Sequence, residues 1–250
     1  MKQFTAKIVT KGMEKLRVMT LVVLCFVALG LASEPHVTPV EAPVPDSLAS
    51  LTVALDPGHG GYDGGARAMD SGIWEKELTL QIAQAIEKEL TARGANVVLT
   101  RTKDMCLAED GSGKARKRAD LQKRLDIAEE AGADVFLSIH LNEYRDRSES
   151  GPQVFYQQGA DAGRLLAGAM QESLIQTLQP AKRRRANAGD YYVLRNTALP
   201  AVLVECGFLS NAEEEKKLLN KAYHRLIAQA VANGLEEWRE LSAKAGENGL

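Results

Sequence analysis

The run LTVALDPGHGGYDGG at residues 51–65 constrains this chain more than any other stretch. An apolar strand ends at Asp56, and a proline and several glycines then bend the backbone sharply. His59 is left standing at the strand's exit, and open α/β sheets place their chemistry at the C-terminal edges of their strands. The four histidines are His36, His59, His140 and His224, and His140 also closes an apolar run, ADVFLSIH at 133–140. Two strand-end histidines, with Glu75 and Glu205 in comparable settings, point to the chemistry of a zinc hydrolase.

From residue 51 onward, short β-branched runs alternate with longer helical ones. The strand-like runs are 51–56, 95–100, 133–140, 153–157, 190–195 and 201–206. Helix-like runs lie near 76–93, 115–131, 160–177 and 211–240. In the first of them Leu78, Ile82, Ile86 and Leu90 recur every four residues and make one apolar face, with Gly94 at the stop. Such alternation predicts an α/β fold, a single-domain sandwich with a central, mostly parallel sheet flanked by helices. No internal repeat is visible, and the sequence AKAGENGL reads as a frayed tail.

The first residues have a different character. Lys2, Lys7, Lys11, Lys15 and Arg17 precede an apolar run from Val18 to Ala32, which ends in the small-residue site Gly30-Leu31-Ala32. This is the pattern of a signal peptide or an N-terminal membrane anchor. Either outcome places the rest of the chain outside the cytoplasm, because the positive charges stay inside. Residues 33–50 hold four of the eight prolines and read as an extended linker in which His36 is solvated. The expected organisation is a signal or anchor at 1–32, a linker at 33–50, a catalytic domain at 51–240 and a flexible tail at 241–250. Cys106 and Cys206 offer too little spacing evidence for a disulfide framework and are expected as free thiols. A net charge of −2 and an aromatic content of 5% argue against a nucleic-acid partner.

Catalytic zinc takes three protein ligands and leaves one position for water. His59 and His140 supply nitrogen, and Glu75, at the start of the first long helix, is placed to reach back toward His59. Glu77 competes with Glu75 for the third position, while Asp56 and Asp63 are candidates to orient His59. Glu205 closes the apolar strand AVLVE, where a carboxylate is costly to bury without a partner. It is a candidate to accept a proton from the attacking water. Any one of these residues has an ordinary structural explanation; their joint position at βα junctions on one sheet edge gives the functional reading. A secreted zinc peptidase, a polysaccharide deacetylase and a non-catalytic wall-binding protein on the same fold are the competing readings.

Four motifs in order, DPGHGG, WEKELTLQIA, SIHLN and VECGFLSN, resemble the zinc-dependent N-acetylmuramoyl-L-alanine amidases of the amidase-3 type across residues 51–240. That resemblance implies hydrolysis of the amide between the lactyl group of N-acetylmuramic acid and L-alanine in peptidoglycan. It implies one zinc per chain on His59, Glu75 and His140, Glu205 as catalytic glutamate, and Asn142 and Arg195 lining the substrate cleft. The GYDGG loop, KARKRADLQKRL, SIHLN and SGPQVFY resemble more particularly the germination-specific amidases that prepare muramic δ-lactam in spore cortex; a vegetative role in lysis or cell separation is the alternative. Division amidases of the family carry an inserted helix after the SIH segment that blocks the zinc. The stretch between Asn142 and Gly151 is too short for one. Control is therefore expected from location, expression or an activating partner protein. The basic run Lys182-Arg183-Arg184-Arg185 reads as a solvated loop, or as a contact for stem-peptide carboxylates or an acidic partner.

Overall fold

Strand β1 (Thr52–Pro57) is buried along nearly its whole length, as its run of Val, Ala and Leu requires of a strand covered on both faces. The computed structural model of the chain describes residues 46–108 and 112–247. After β1 come α1 (Glu75–Ala92), β2 (Asn96–Leu99), α2 (Gly113–Glu130), β3 (Val135–Asn142), β4 (Gln153–Tyr156) and α3 (Asp161–Leu178). The chain continues through β5 (Asn187–Ala188), α4 (Tyr192–Arg195), β6 (Ala201–Phe208), α5 (Ala212–Leu218) and α6 (Lys221–Glu247). The strands form one six-stranded sheet in the order β2-β1-β3-β6-β4-β5. Only the β4–β6 pairing is antiparallel, so the sheet is mixed and mostly parallel.

Alternation along the strands sorts side chains onto two faces. Val53, Leu55, Val135, Leu137, Ile139, Val202 and Val204 join one core with buried residues of α1, α3 and α6. Ala54, Phe136 and Leu203 face the other way, against Leu125 and Ala128 of α2 and Val193 and Leu194 of α4. The same two-residue step puts Asp56, Ser138, His140 and Glu205 on this second face, at the C-terminal edge of the three central strands. The expected α/β sandwich is the observed fold.

Several local expectations need correction. The run at 190–195, read as a strand, instead folds as the short helix α4, its backbone paired locally by Leu194 and Arg195 N–H groups donating to the Tyr191 carbonyl and by Asn196 N–H donating to that of Tyr192. The single helix expected over 211–240 is two: Asn211 accepts from the backbone N–H groups of Glu213 and Glu214, and Asn220 accepts from that of Ala222. The tail expected from 241 is helical through Glu247, where Leu241 packs against the core. At the other end Leu48, inside the stretch read as linker, is fully buried. Ser47 and Ala49 accept hydrogen bonds from Arg239. The signal or anchor at 1–32 and most of the linker lie outside the described residues. Among the described residues, no helix is long and apolar enough to cross a membrane.

Candidate active site

His59 follows β1 on a backbone with φ of +63°, in the left-handed region that a bulky side chain seldom occupies. Such strain collects at functional sites, where the surroundings over-determine it. The surroundings here are explicit. The carbonyl of His59 accepts from Arg124 at 2.7 Å, and that of Gly58 accepts from Thr79 at 2.8 Å and from Arg101 at 2.9 Å. Gly58 admits no side chain, because a Cβ there would lie 2.3 Å from the His140 ring. Gly65, at φ +70°, is equally confined, since its Cβ would lie 2.4 Å from Glu75 Oε2.

The first residue of α1 carries the carboxylate on which both histidines converge. Glu75 Oε1 lies 3.1 Å from His59 Nε2 and 3.0 Å from His140 Nδ1. The backbone N–H of Leu141 donates to the same oxygen at 3.0 Å, and that of Ala66 donates to Oε2 at 2.8 Å. The two imidazoles meet edge to face, with centroids 4.8 Å apart. His59, Glu75 and His140 form a group able to hold a metal ion, with ligand atoms all within 4.8 Å of one another. Glu77, the competitor for the third position, caps α1 instead by accepting from the Trp74 backbone N–H.

Glu205 stands directly across from His140 in the β3–β6 register and is 8% exposed. Its Oε2 finds no hydrogen-bond partner among the described residues. Burial, reinforced by the negative charge of Glu75, pushes its pKa up to about 8. Glu75 moves the other way: burial opposes its charge, but His140 and His59 outweigh it and hold the carboxyl well below the usual range. Burial also opposes charge on His59, and the Asp63 and Glu75 carboxylates overcome it, raising its pKa to about 9. Asp63 Oδ1 lies 3.0 Å from His59 Nδ1, within ion-pair distance but without hydrogen-bond geometry. Asp56 does not touch His59. It accepts from Thr100, Ser138 and Arg124, and reaches His59 only through Arg124.

A cavity of about 330 Å³ opens over these groups, lined by Tyr62, Asn142, Glu143, Tyr191 and Tyr192 besides the residues above. Asn142 therefore borders the cavity. Arg195 does not; it is exposed at the end of α4, bonded to Asp190, and lines an adjoining recess. Residues 143–150 form bends rather than a helix, as their shortness requires. Cys106 and Cys206 are free thiols. Within the basic run, Lys182 and Arg184 both pair with Glu149, while Arg183 and Arg185 are exposed. Sequence reasoning missed Arg124, which is 1% exposed at the centre of the polar network under His59. Its one local signal is Asp120, four residues earlier on the helix face that also bears Leu121 and Leu125.

Comparison with known proteins adds the deciding observation: residues 53–237 match the amidase-3 family, described as N-acetylmuramoyl-L-alanine amidase. The chain belongs to this family. It is an enzyme of that kind, an amidase acting on peptidoglycan, which disfavours the peptidase, deacetylase and non-catalytic readings. The germination-specific N-acetylmuramoyl-L-alanine amidase of Bacillus subtilis is 34% identical over 190 residues, covering 75% of this chain and 79% of that protein. The sporulation-specific N-acetylmuramoyl-L-alanine amidase of the same organism is 33% identical, covering 80% of this chain and 72% of its own. Among solved structures, the CwlD amidase of Clostridioides difficile in complex with the GerS lipoprotein superposes with a TM-score of 0.73 at 32% identity. That match covers 76% of this amidase and 99% of the other chain.

Proposed function

We propose that this amidase hydrolyses the lactyl–L-alanine amide with one zinc ion per chain, held by His59, Glu75 and His140, and with Glu205 moving the proton. The donor set carries the proposal: two imidazoles and one carboxylate converge, the ligand types of catalytic zinc, and three protein ligands leave a position open. Asp63 on His59 and the Leu141 and Ala66 amides on Glu75 are the outer contacts that orient such ligands. When bound, zinc acts as a Lewis acid that polarises the amide carbonyl and acidifies the attacking water.

Glu205 does the rest of the work on protons. Its unpartnered Oε2 accepts the proton that water loses as its oxygen bonds to the carbonyl carbon. The same group then gives that proton to the alanine nitrogen as the C–N bond breaks, leaving a free lactyl carboxyl and a free amine. A cation held by His59, Glu75 and His140 would favour the charged form of Glu205, whose pKa without it is raised to about 8. Asn142 lines the cavity on the β3 side, a placement that suits contact to bound substrate, and Arg195 lines only the adjoining recess, where it would meet a more distant part of the substrate.

The biological setting follows from the relatives. Likeness to germination-specific and sporulation-specific amidases supports action on spore cortex, with muramic δ-lactam as the downstream product. Such action is extracytoplasmic, and residues 1–32 serve as the signal or membrane anchor that takes the enzyme there. The Clostridioides difficile amidase bound to a lipoprotein supports an activating partner. Metal analysis and digestion of cortex fragments by the purified protein test the chemistry together. The expected results are about one zinc per chain and new lactyl carboxyl ends. Loss of acetyl groups with the stem amide intact contradicts the reading.

A further inference from the structure

The cavity over the His/Glu group is flanked by two others, and their charges differ. On one side, a recess of about 300 Å³ is lined by Lys114, Lys117, Arg118, Leu121, Tyr192 and Arg195. Lys117, Leu121 and Tyr192 also line the central cavity, so the two spaces adjoin. Two of the four cations have an acid: Lys117 lies 3.0 Å from Asp63, and Arg195 bonds Asp190. Lys114 and Arg118 form no ion pair among the described residues. Arg118 and Arg195 sit 5.7 and 5.9 Å from the centre of the Tyr192 ring, whose hydroxyl is fixed by a 2.8 Å bond to Gln122. The recess thus presents guanidinium groups on a held aromatic platform.

Beyond Asn142, which also lines the central cavity, the second flanking cavity contains Tyr144, Glu149, Gln153, Lys182 and Arg184. Both of its cations are bound to Glu149, and Tyr144 is 57% exposed. That end offers an aromatic ring and neutral polar groups rather than free charge. The scissile amide separates two chemically distinct halves. A muramic sugar lies on the acyl side, and a stem peptide bearing free carboxylates lies on the amine side.

We propose that the recess around Tyr192 is the stem-peptide subsite, with Lys114 and Arg118 receiving a stem carboxylate and the glycan lying toward Asn142 and Tyr144. This rests on the amidase reading and adds a direction to the bound substrate. It also moves the anionic contact from the Lys182–Arg185 run, where Glu149 already occupies two of the cations, to the α2–α4 side.

The test uses the purified full chain and two forms of the stem dipeptide L-Ala-D-Glu, both with the glutamate γ-carboxyl capped as amide, one with the α-carboxylate free and the other with it capped as well. NMR titration of the parent should show the acidic form binding about tenfold more tightly, the low end for a charge-assisted pair at an exposed site. In K114E/R118E, two exposed positions, that preference should vanish, whereas R183E should retain it. On soluble muropeptides the double variant should raise KM for the acidic stem with kcat retained, and leave the amidated stem unaffected. Equal affinity of the parent for both dipeptides overturns the proposal, as does an equal loss on both substrates in the double variant. If the parent alone cleaves neither muropeptide, the dipeptide titration decides the recess by itself.

Discussion

Two clusters of buried ionisable side chains share the C-terminal edge of this sheet, and they are built on opposite terms. Beneath the site, Asp56 accepts from Thr100, Ser138 and Arg124, while Arg124 also donates to Asp120 and to the carbonyls of Pro57 and His59. Burial opposes the Asp56 charge, but Arg124 and the two hydroxyls outweigh it, and its pKa falls. Two strands over, Glu205 is nearly as deep, has an oxygen with no partner among the described residues, and is pushed upward. A satisfied polar network fixes geometry; an unsatisfied one is kept for something that arrives with the reaction. The closed cluster holds the His59 loop in its strained conformation, and the open cluster holds the chemistry.

The largest expected effect breaks the open cluster. His140→Ala should reduce bound zinc from about one per chain to a trace, because two ligands do not make a closed site, and hydrolysis should be lost with it. Zinc retained at parental affinity would show that the ligand set is wrongly drawn. Breaking the closed cluster should act on stability instead. Arg124→Met leaves Asp56 buried and unpaired, at about 3–5 kcal/mol, read from the denaturant midpoint. Asp56→Asn in the same chain should recover part of that loss, since removing both charges avoids the uncompensated one. An Arg124→Met variant as stable as the parent would contradict the role given to the network.

The pH dependence of the metal-free protein sharpens the contrast further. Glu205 rises from 4.5 to about 8 on folding and His59 from 6.5 to about 9, so each binds more protons folded than unfolded between its two values. Their contribution to stability is full below the unfolded values and is lost as pH rises through the folded ones. Asp56 has the opposite sign: its contribution is present above 3.8 and is lost as pH falls through its lowered folded value. Chelator-treated protein should therefore lose stability from about pH 5 to pH 9, with a shallower slope in Glu205→Gln. A flat profile over that window would contradict the pKa assignments.

Much of this architecture is legible in the residues. The apolar runs leading to His59, His140 and Glu205 place all three near strand exits, although β3 continues two residues past His140 and β6 three past Glu205, and period-four leucines and isoleucines mark α1. What the sequence hides is long-range or very short. Arg124 reaches Asp56 across 68 residues, and in the sequence it is one cation among several in KARKRADLQKRL. The two-residue β5 is too brief to show a period, and α4 wears the β-branched and aromatic residues of a strand while burying consecutive side chains. Choosing between Glu75 and Glu77 needed the geometry too, because both lie in the first turn of α1 and only the fold aims one at the histidines.

The central claim is that metal binding and proton transfer reside on different side chains of one site, and Glu205→Gln tests it most directly. The substitution keeps the shape of the side chain and removes its ability to take a proton. Zinc content and hydrolysis should be measured on the same preparation. The account predicts zinc still at about one per chain and turnover lower by roughly two to four orders of magnitude, the usual worth of general acid–base catalysis. Near-normal turnover with zinc in place, or loss of zinc along with activity, would contradict it.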